Sequence, residues 1–200
     1  MKFSEAEKYL IAHEPQLGAL IELQGHIERR PERNHFEALA SSIVSQQISV
    51  KAADSIFRRL VAATGLDPQK VRALAPDEAK TIGLSNQKVT YLRNLAEHFL
   101  TSPAIYEKLA DYDDETVIKE LTAVKGIGVW TAQMFLIFTL GRPDVFAPDD
   151  RGLQMAVEML YDHPAKYTRN ELTAIAEQWT PYRSTASLHL WQSRNNKPVI

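Results

Sequence analysis

Two short stretches hold residues whose types and spacing point to chemistry. Lys125, Gly126, Ile127 and Gly128 form a glycine-rich turn with a lysine at its edge. Glycine takes positive φ without steric cost, and a bare backbone lets the N–H groups of Gly126, Gly128 and Val129 come close to a ligand. At the start of a helix those groups favour an anion such as a phosphate, with Lys125 as a mobile positive charge beside it. The same four residues also suit a plain corner between two helices. Asp149 and Asp150 form the second stretch, directly before the amphipathic pattern RGLQMAVEML. An aspartate there caps a helix. It also meets the demand of nucleoside C–N cleavage, in which positive charge builds on the sugar. A fixed carboxylate stabilises that charge and can orient or deprotonate water.

The elements that must position these residues are helical. Val117, Ile118 and Leu121 repeat with helical spacing up to the glycine turn, and residues 129–140 are apolar nearly all round, the mark of a helix buried on most sides. Gly141, Arg142 and Pro143 stop it. Helix, G-I-G turn and buried helix together make a helix-hairpin-helix.

Elsewhere the patterning stays helical, with no convincing period-two alternation. Residues 4–13 and 16–27 read as two amphipathic helices separated by Pro15, followed by a polar linker over 28–34. Helices follow over 35–44 and 50–63, with SQQIS between them. Short helices over 68–74 and 76–82 open at proline. Ser85 caps another, and the acidic run DYDDE supplies caps for the helix entering the hairpin. Helices over 152–161, 168–178 and 182–193 complete an all-α chain of about ten helices.

Composition narrows the classes. The 200 residues hold no cysteine, which excludes disulfides, thiolate metal sites and a cysteine-held iron–sulfur cluster. The six histidines (13, 26, 35, 98, 163 and 189) show no paired ligand spacing, so solvated or capping roles are expected of each. No run approaches the roughly 18–20 apolar residues of a membrane-spanning helix, and the charged amphipathic N-terminus is unlike a signal peptide. A cytoplasmic location is expected, associated with the nucleoid if the source is bacterial. The net charge of −2 does not by itself suggest a nucleic-acid binder. Any such attraction must come from a local patch, with candidates Lys51, Lys88, Arg93, Lys125, Arg151 and Arg183.

GIGVWTA followed by DVFAPDDRGLQ resembles the helix-hairpin-helix DNA glycosylases, most closely the 3-methyladenine DNA glycosylase II type. The stretches ALASSIVSQQISVKAADSIFRRL (38–60), GLSNQKVTYLRNLA (83–96) and WTPYRSTASLHLW (179–191) carry the resemblance from about residue 36 to residue 191, in the family's order. It implies one glycosylase domain over 1–200, in a short form without the additional N-terminal domain of larger relatives. One lobe spans about 35–140 with the hairpin, and a second joins 1–34 to 141–200, with a DNA-binding cleft between them. The implied partner is double-stranded DNA bearing alkylated bases, and the implied working form is a monomer.

The resemblance also assigns residues. The catalytic aspartate falls on Asp150. Lys125, Gly126, Gly128 and Thr131 hold a phosphate. Gln46, Gln47 and Ser49 belong to the loop that fills the gap left by a flipped nucleotide, with Gln47 as the wedge. Taken alone, SQQIS reads as a solvated connection with Ser49 capping the next helix. Trp130 stands where lyase-type relatives carry a lysine that attacks the sugar. An indole cannot do this, so water completes the displacement and no lyase activity is expected. Trp130 and Trp191 match the aromatics that stack on an electron-poor base, although a tryptophan on an apolar helix also reads as core. Trp179 and Tyr182 read as packing, and Arg183 as a phosphate contact or a brace for Asp149. No cofactor is required. A structural Na+ or K+ ion is implied at the backbone carbonyls of Thr122, Val124 and Ile127. The rival readings are a non-catalytic hairpin protein that binds DNA, a glycosylase for oxidised or mismatched bases, and a helical interaction module that does not bind DNA.

Overall fold

The computed structural model describes residues 3–28, 34–162 and 166–195, so His163 and residues 29–33 of the expected linker lie outside the described residues. Among those described there are thirteen α-helices and no strand. They are α1 (Glu5–His13), α2 (Pro15–Gln24), α3 (His35–Ser45), α4 (Val50–Thr64), α5 (Pro68–Ala73), α6 (Pro76–Ile82), α7 (Asn86–Thr101), α8 (Pro103–Glu107), α9 (Asp114–Thr122), α10 (Val129–Met134), α11 (Arg151–Leu160), α12 (Arg169–Glu177) and α13 (Arg183–Asn195). A 3-10 turn (Leu109–Asp111) follows α8, and a π-helical turn (Phe135–Thr139) continues α10. The short proline-opened segments over 68–74 and 76–82 are separate helices, as expected.

The starts of these helices follow local chemistry. Side chains of Ser4, Asn34, Ser49, Asp67, Ser85, Asp113, Asp150 and Thr168 each accept from a backbone N–H in the first turn, which satisfies donors that lack an intrahelical acceptor. Prolines 15, 68, 76 and 103 all sit in first turns, where the missing N–H costs nothing. Pro15 therefore opens α2 rather than separating two helices. Helix α2 ends at Gln24, short of the expected residue 27, because Gly25 turns the chain at φ 77°.

The chain divides into two compact units, one formed by Met1–Pro31 and Gly141–Ile200 and the other by Glu32–Leu140. In the second unit α3 packs against α4, α7 and the π-helical turn, and α7 packs against α5. Leu39, Ile43, Leu60, Leu92, Leu95, Leu121 and Leu136 are fully buried there or nearly so, each worth about 1.5–3 kcal/mol. In the first unit α13 packs against α1, α2 and α11, around buried Leu10, Ile21, Leu153, Trp179 and Leu190. Trp179 and Tyr182 are packing residues: Trp179 meets Phe146 edge-on and Tyr182 meets Tyr9.

Three cations named as a possible patch are engaged inside the fold. Lys88 Nζ donates to the Val44 carbonyl at 2.7 Å, Arg93 to the Leu74 carbonyl at 2.6 Å, and Arg183 to Asp144 at 2.8 Å. Arg183 thus braces Asp144, not Asp149, tying the start of α13 to the segment that leads to α11. Lys51, Lys125 and Arg151 are exposed. Among the described residues no helix is long and apolar enough to cross a membrane.

His189 is neither solvated nor a cap. It is fully buried in the first unit, with Nδ1 2.8 Å from Gln24 Oε1 and Nε2 3.2 Å from Glu7 Oε1. Glu7, only 1% exposed, also accepts from the Ser4 and Ile27 N–H groups and from His26. Sequence spacing has no signal for this cluster, since its members come from opposite ends of the chain.

Candidate active site

The hairpin turn is built by two bonds of the chain on itself. The Val124 N–H donates to Leu121 O at 3.1 Å, and the Ile127 N–H to Val124 O at 3.0 Å. Buried Val124 and Ile127 anchor the turn. Gly126 has φ +103°, which disfavours any other residue, and an added Cβ would also run into the Tyr91 ring. Gly128 is different. Its φ is −96° and ψ 173°, ordinary extended backbone, and a Cβ there would meet nothing within 4 Å. Neither conformation nor packing within the protein calls for glycine at 128, and its bare backbone faces open space.

Gly128 is the N-cap of α10 and brings no side chain to cap it. Lys125, Gly128 and Val129 are exposed, and Trp130 is 44% exposed. Thr131 is only 5% exposed, so of the four residues assigned to a phosphate it is the least accessible. The helix beyond turns into a π-helical turn, in which Leu140 N donates to Phe135 O. Within the π-helical turn Phe135, Leu136, Ile137 and Thr139 are buried while Phe138 is 43% exposed, and one apolar run over 129–140 does not distinguish the two helical registers.

The SQQIS loop lies against this hairpin within the same unit. Gln46 Nε2 donates to the Gly126 carbonyl at 2.9 Å, and Lys88 caps the end of α3 through Val44 O. Burial lowers the Lys88 pKa. Gln46 is therefore spent on holding the loop. Gln47, next to it, is exposed and stands in the left-handed region at φ 58°, unusual backbone for a residue with a Cβ. Ser49 caps α4 by accepting from the Ala52 N–H. A cavity of about 380 Å3 opens here, lined by Gln46, Gln47, Lys88, Tyr91 and Gly126 among others.

In the other unit the two aspartates separate in role. Asp149 is exposed and pairs with Arg169 (Nε–Oδ1 3.1 Å). Asp150 is the N-cap of α11: its Oδ1 accepts from the Leu153 N–H at 2.8 Å and from the Trp191 indole N–H at 2.9 Å. Trp191 comes from α13, whose packing on α11 brings the two together. The structure thus joins Gln46 and Gln47 to the hairpin, and Trp191 to Asp150. Sequence reasoning missed Tyr91, which fills the space behind Gly126, and Gly152, which lies against Trp191 and Asp150. Gly152 had a signal, a glycine in the first turn of a helix.

Of the three carbonyls expected to hold a cation, that of Thr122 belongs to the last residue of α9, and those of Val124 and Ile127 lie in the turn, where the Val124 oxygen accepts from the Ile127 N–H. A carbonyl carries two lone pairs, so that bond leaves one on the Val124 oxygen. Among the described residues no cluster of three or more histidine or acidic side chains suited to a metal is present.

Comparison with known proteins gives a consistent result. The family described as HhH-GPD superfamily base excision DNA repair protein matches residues 40–182. The Saccharomyces cerevisiae DNA-3-methyladenine glycosylase is 32% identical, over 96% of this chain and 79% of its own length. A crystal structure of the Bacillus halodurans DNA-3-methyladenine glycosidase is 35% identical with a TM-score of 0.85, covering 95% of this chain and 89% of that one. The Schizosaccharomyces pombe 3-methyladenine DNA glycosylase in complex with abasic DNA is 27% identical with a TM-score of 0.85, covering 96% and 98%.

Proposed function

The chain belongs to the HhH-GPD superfamily of base excision DNA repair proteins, and from that membership we propose that it is a monofunctional DNA glycosylase. It hydrolyses the N-glycosidic bond of alkylated bases, of the 3-methyladenine and 7-methylguanine type, flipped out of duplex DNA. The observation that carries this reading is Asp150, the family's motif aspartate, held as a helix N-cap with Oδ1 bonded to two neutral donors. A carboxylate fixed in place is what a developing sugar cation needs. The yeast and Bacillus relatives, named for 3-methyladenine, support the substrate class, and the fission-yeast complex supports DNA as the partner.

In this reading Asp150 stabilises the sugar cation and positions the attacking water. Lys125 and the bare backbone at Gly126 and Gly128 hold a phosphate, with Thr131 supporting them from the buried side. Gln47 fills the gap left by the extruded nucleotide, on a loop secured by Gln46 and capped into α4 by Ser49. Cation–π attraction favours a base made cationic by alkylation over a normal one, and Trp130 and Trp191 are each a candidate for that indole contact. The bond to a cationic leaving base is already weak, so selection of the base can replace strong activation of it. A Na+ or K+ ion at the carbonyls of Thr122, Val124 and Ile127 would stiffen the hairpin, and no other cofactor is needed. The working form is a monomer in the cytoplasm.

The test is base release from duplexes carrying 3-methyladenine, 7-methylguanine, 8-oxoguanine or a mismatch. Free alkylated base and an uncut abasic strand are expected, with no borohydride-trapped adduct, because trapping needs an imine from an enzyme amine. Release confined to oxidised or mismatched bases overturns the substrate class. A trapped adduct overturns the monofunctional assignment, and Lys125 is then the first residue to test.

A further inference from the structure

Asp150 needs only the Leu153 N–H bond to cap α11. The second donor comes from elsewhere: the indole N–H of Trp191, on α13, reaches the same oxygen at 2.9 Å. A third residue makes room for that approach. A Cβ added at Gly152 would stand 3.0 Å from Asp150 Oδ1, 3.2 Å from Trp191 Cδ1 and 3.4 Å from its Nε1. Gly152 lies inside α11, where its φ is not positive, so its backbone suits alanine and glycine is the weaker helix former. The chain thus carries a less favourable residue at the one point where a methyl group would crowd the carboxylate and the indole.

We propose that Trp191 is a positioning residue for Asp150, and that Gly152 is the clearance this pair requires. The proposal rests on the glycosylase reading and adds to it: Trp191 acts through its N–H edge on the carboxylate, besides any contact of its face with a base. Two donors on one oxygen, from two helices, fix the plane of the carboxylate before substrate arrives. Catalysis by a fixed charge depends on such preorganisation, since a carboxylate that must reorient while the sugar charge develops gives up part of its stabilising effect. The indole suits this task because it donates one hydrogen bond and cannot accept the proton that a lysine or histidine could exchange with the carboxylate.

The experiment compares wild type, Gly152→Ala, Trp191→Phe and the double variant on a 7-methylguanine duplex, measuring single-turnover excision, affinity for an abasic duplex and thermal melting. Trp191→Phe keeps an aromatic face and removes the donor. Its excision rate should fall roughly ten- to hundred-fold, the scale of one hydrogen bond to a charged group, with affinity for the abasic duplex held within about two-fold. Gly152→Ala should slow excision, while its effect on melting stays small because better helix propensity opposes the crowding. In the Trp191→Phe background Gly152→Ala should cost less than it does in wild type, because the hydrogen bond it disturbs is already gone and only its crowding of the carboxylate remains. Wild-type excision by Trp191→Phe overturns the proposal, as does independent, additive loss in the double variant. If Trp191→Phe fails to fold, Gly152→Ala decides alone: normal excision overturns the proposal and slowed excision at unchanged melting supports it. A wild-type protein that releases no alkylated base overturns the glycosylase reading itself, a result distinct from all of these.

Discussion

The side-chain amide of Gln46 donates to the Gly126 carbonyl at 2.9 Å, so the loop that presents Gln47 and the turn that presents Lys125 are held to one another. One turn would hold a phosphate and the other would enter the duplex, and their spacing is set by this bond. Gln46→Ala should therefore weaken affinity for a lesion duplex and slow excision together. The stability cost should be about 1 kcal/mol, the net worth of one partly buried hydrogen bond. Urea unfolding and duplex titration on the same preparation check this, and unchanged affinity would show that the two turns act separately.

The two hairpin glycines should respond differently. Gly126→Ala meets both a φ of +103° and the Tyr91 ring, so it should destabilise the second unit by about 1–3 kcal/mol. Gly128→Ala meets open space and should shift stability by no more than about 1 kcal/mol, the difference between glycine and alanine at an N-cap. Its effect belongs to the DNA. Affinity should fall as the methyl group obstructs close approach of a phosphate to the backbone N–H groups, with the salt dependence of binding unchanged because no charge is removed. Equal loss of stability in the two variants would contradict this division.

Asp150→Asn should leave the fold standing and remove most excision. The asparagine side-chain oxygen can still accept from Leu153 and Trp191, and asparagine is a good N-cap. Burial of Leu153, Ala156 and Val157 holds α11 in any case, at about 1.5–3 kcal/mol for each large apolar side chain. The substitution therefore removes charge and little else. Melting within a few degrees of wild type, retained binding to an abasic duplex and a large drop in single-turnover rate are expected.

Acid should act on the first unit through Glu7. Burial alone would push the Glu7 carboxyl up from 4.5, but the donors from Ile27, Ser4 and His26 outweigh it and hold the group at about 2. A carboxyl with a depressed folded value stabilises the fold fully above its unfolded value and loses that contribution as pH falls toward the folded value. The contribution is on the order of 3 kcal/mol, present above about pH 5 and mostly lost by about pH 3. Unfolding free energy measured across that range should fall for wild type. Glu7→Gln should be less stable at neutral pH and flatter with acid, and parallel curves for the two proteins would remove Glu7 as the cause.

Much of the site could be read locally. The capping residues Ser49, Ser85 and Asp150, the prolines that open α5 and α6, and the turn at Gly126 act within about four residues of themselves, so composition in a short window locates them. The same window misplaced Pro15, where proline opens a helix as readily as it separates two. It gave no hint of the π-helical turn at Phe135–Thr139, because a run that is apolar at nearly every position carries no periodicity from which the hydrogen-bond register could be read.

By itself the sequence determined where helices begin, where the hairpin turns, and that an aspartate stands at the start of α11. The tertiary structure alone decided partners. It put His189 against Glu7, 182 residues away, Gln46 against Gly126, 80 residues away, and Trp191 against Asp150, 41 residues away. It gave Arg183 to Asp144 rather than to Asp149, and it distinguished Gly126, required by Tyr91, from Gly128, required by nothing inside the protein. The reason is physical. Helical periodicity states which face of a segment is buried, but the strength of a hydrogen bond or a close contact depends on the groups that packing brings opposite it, and those come from segments far away in the chain.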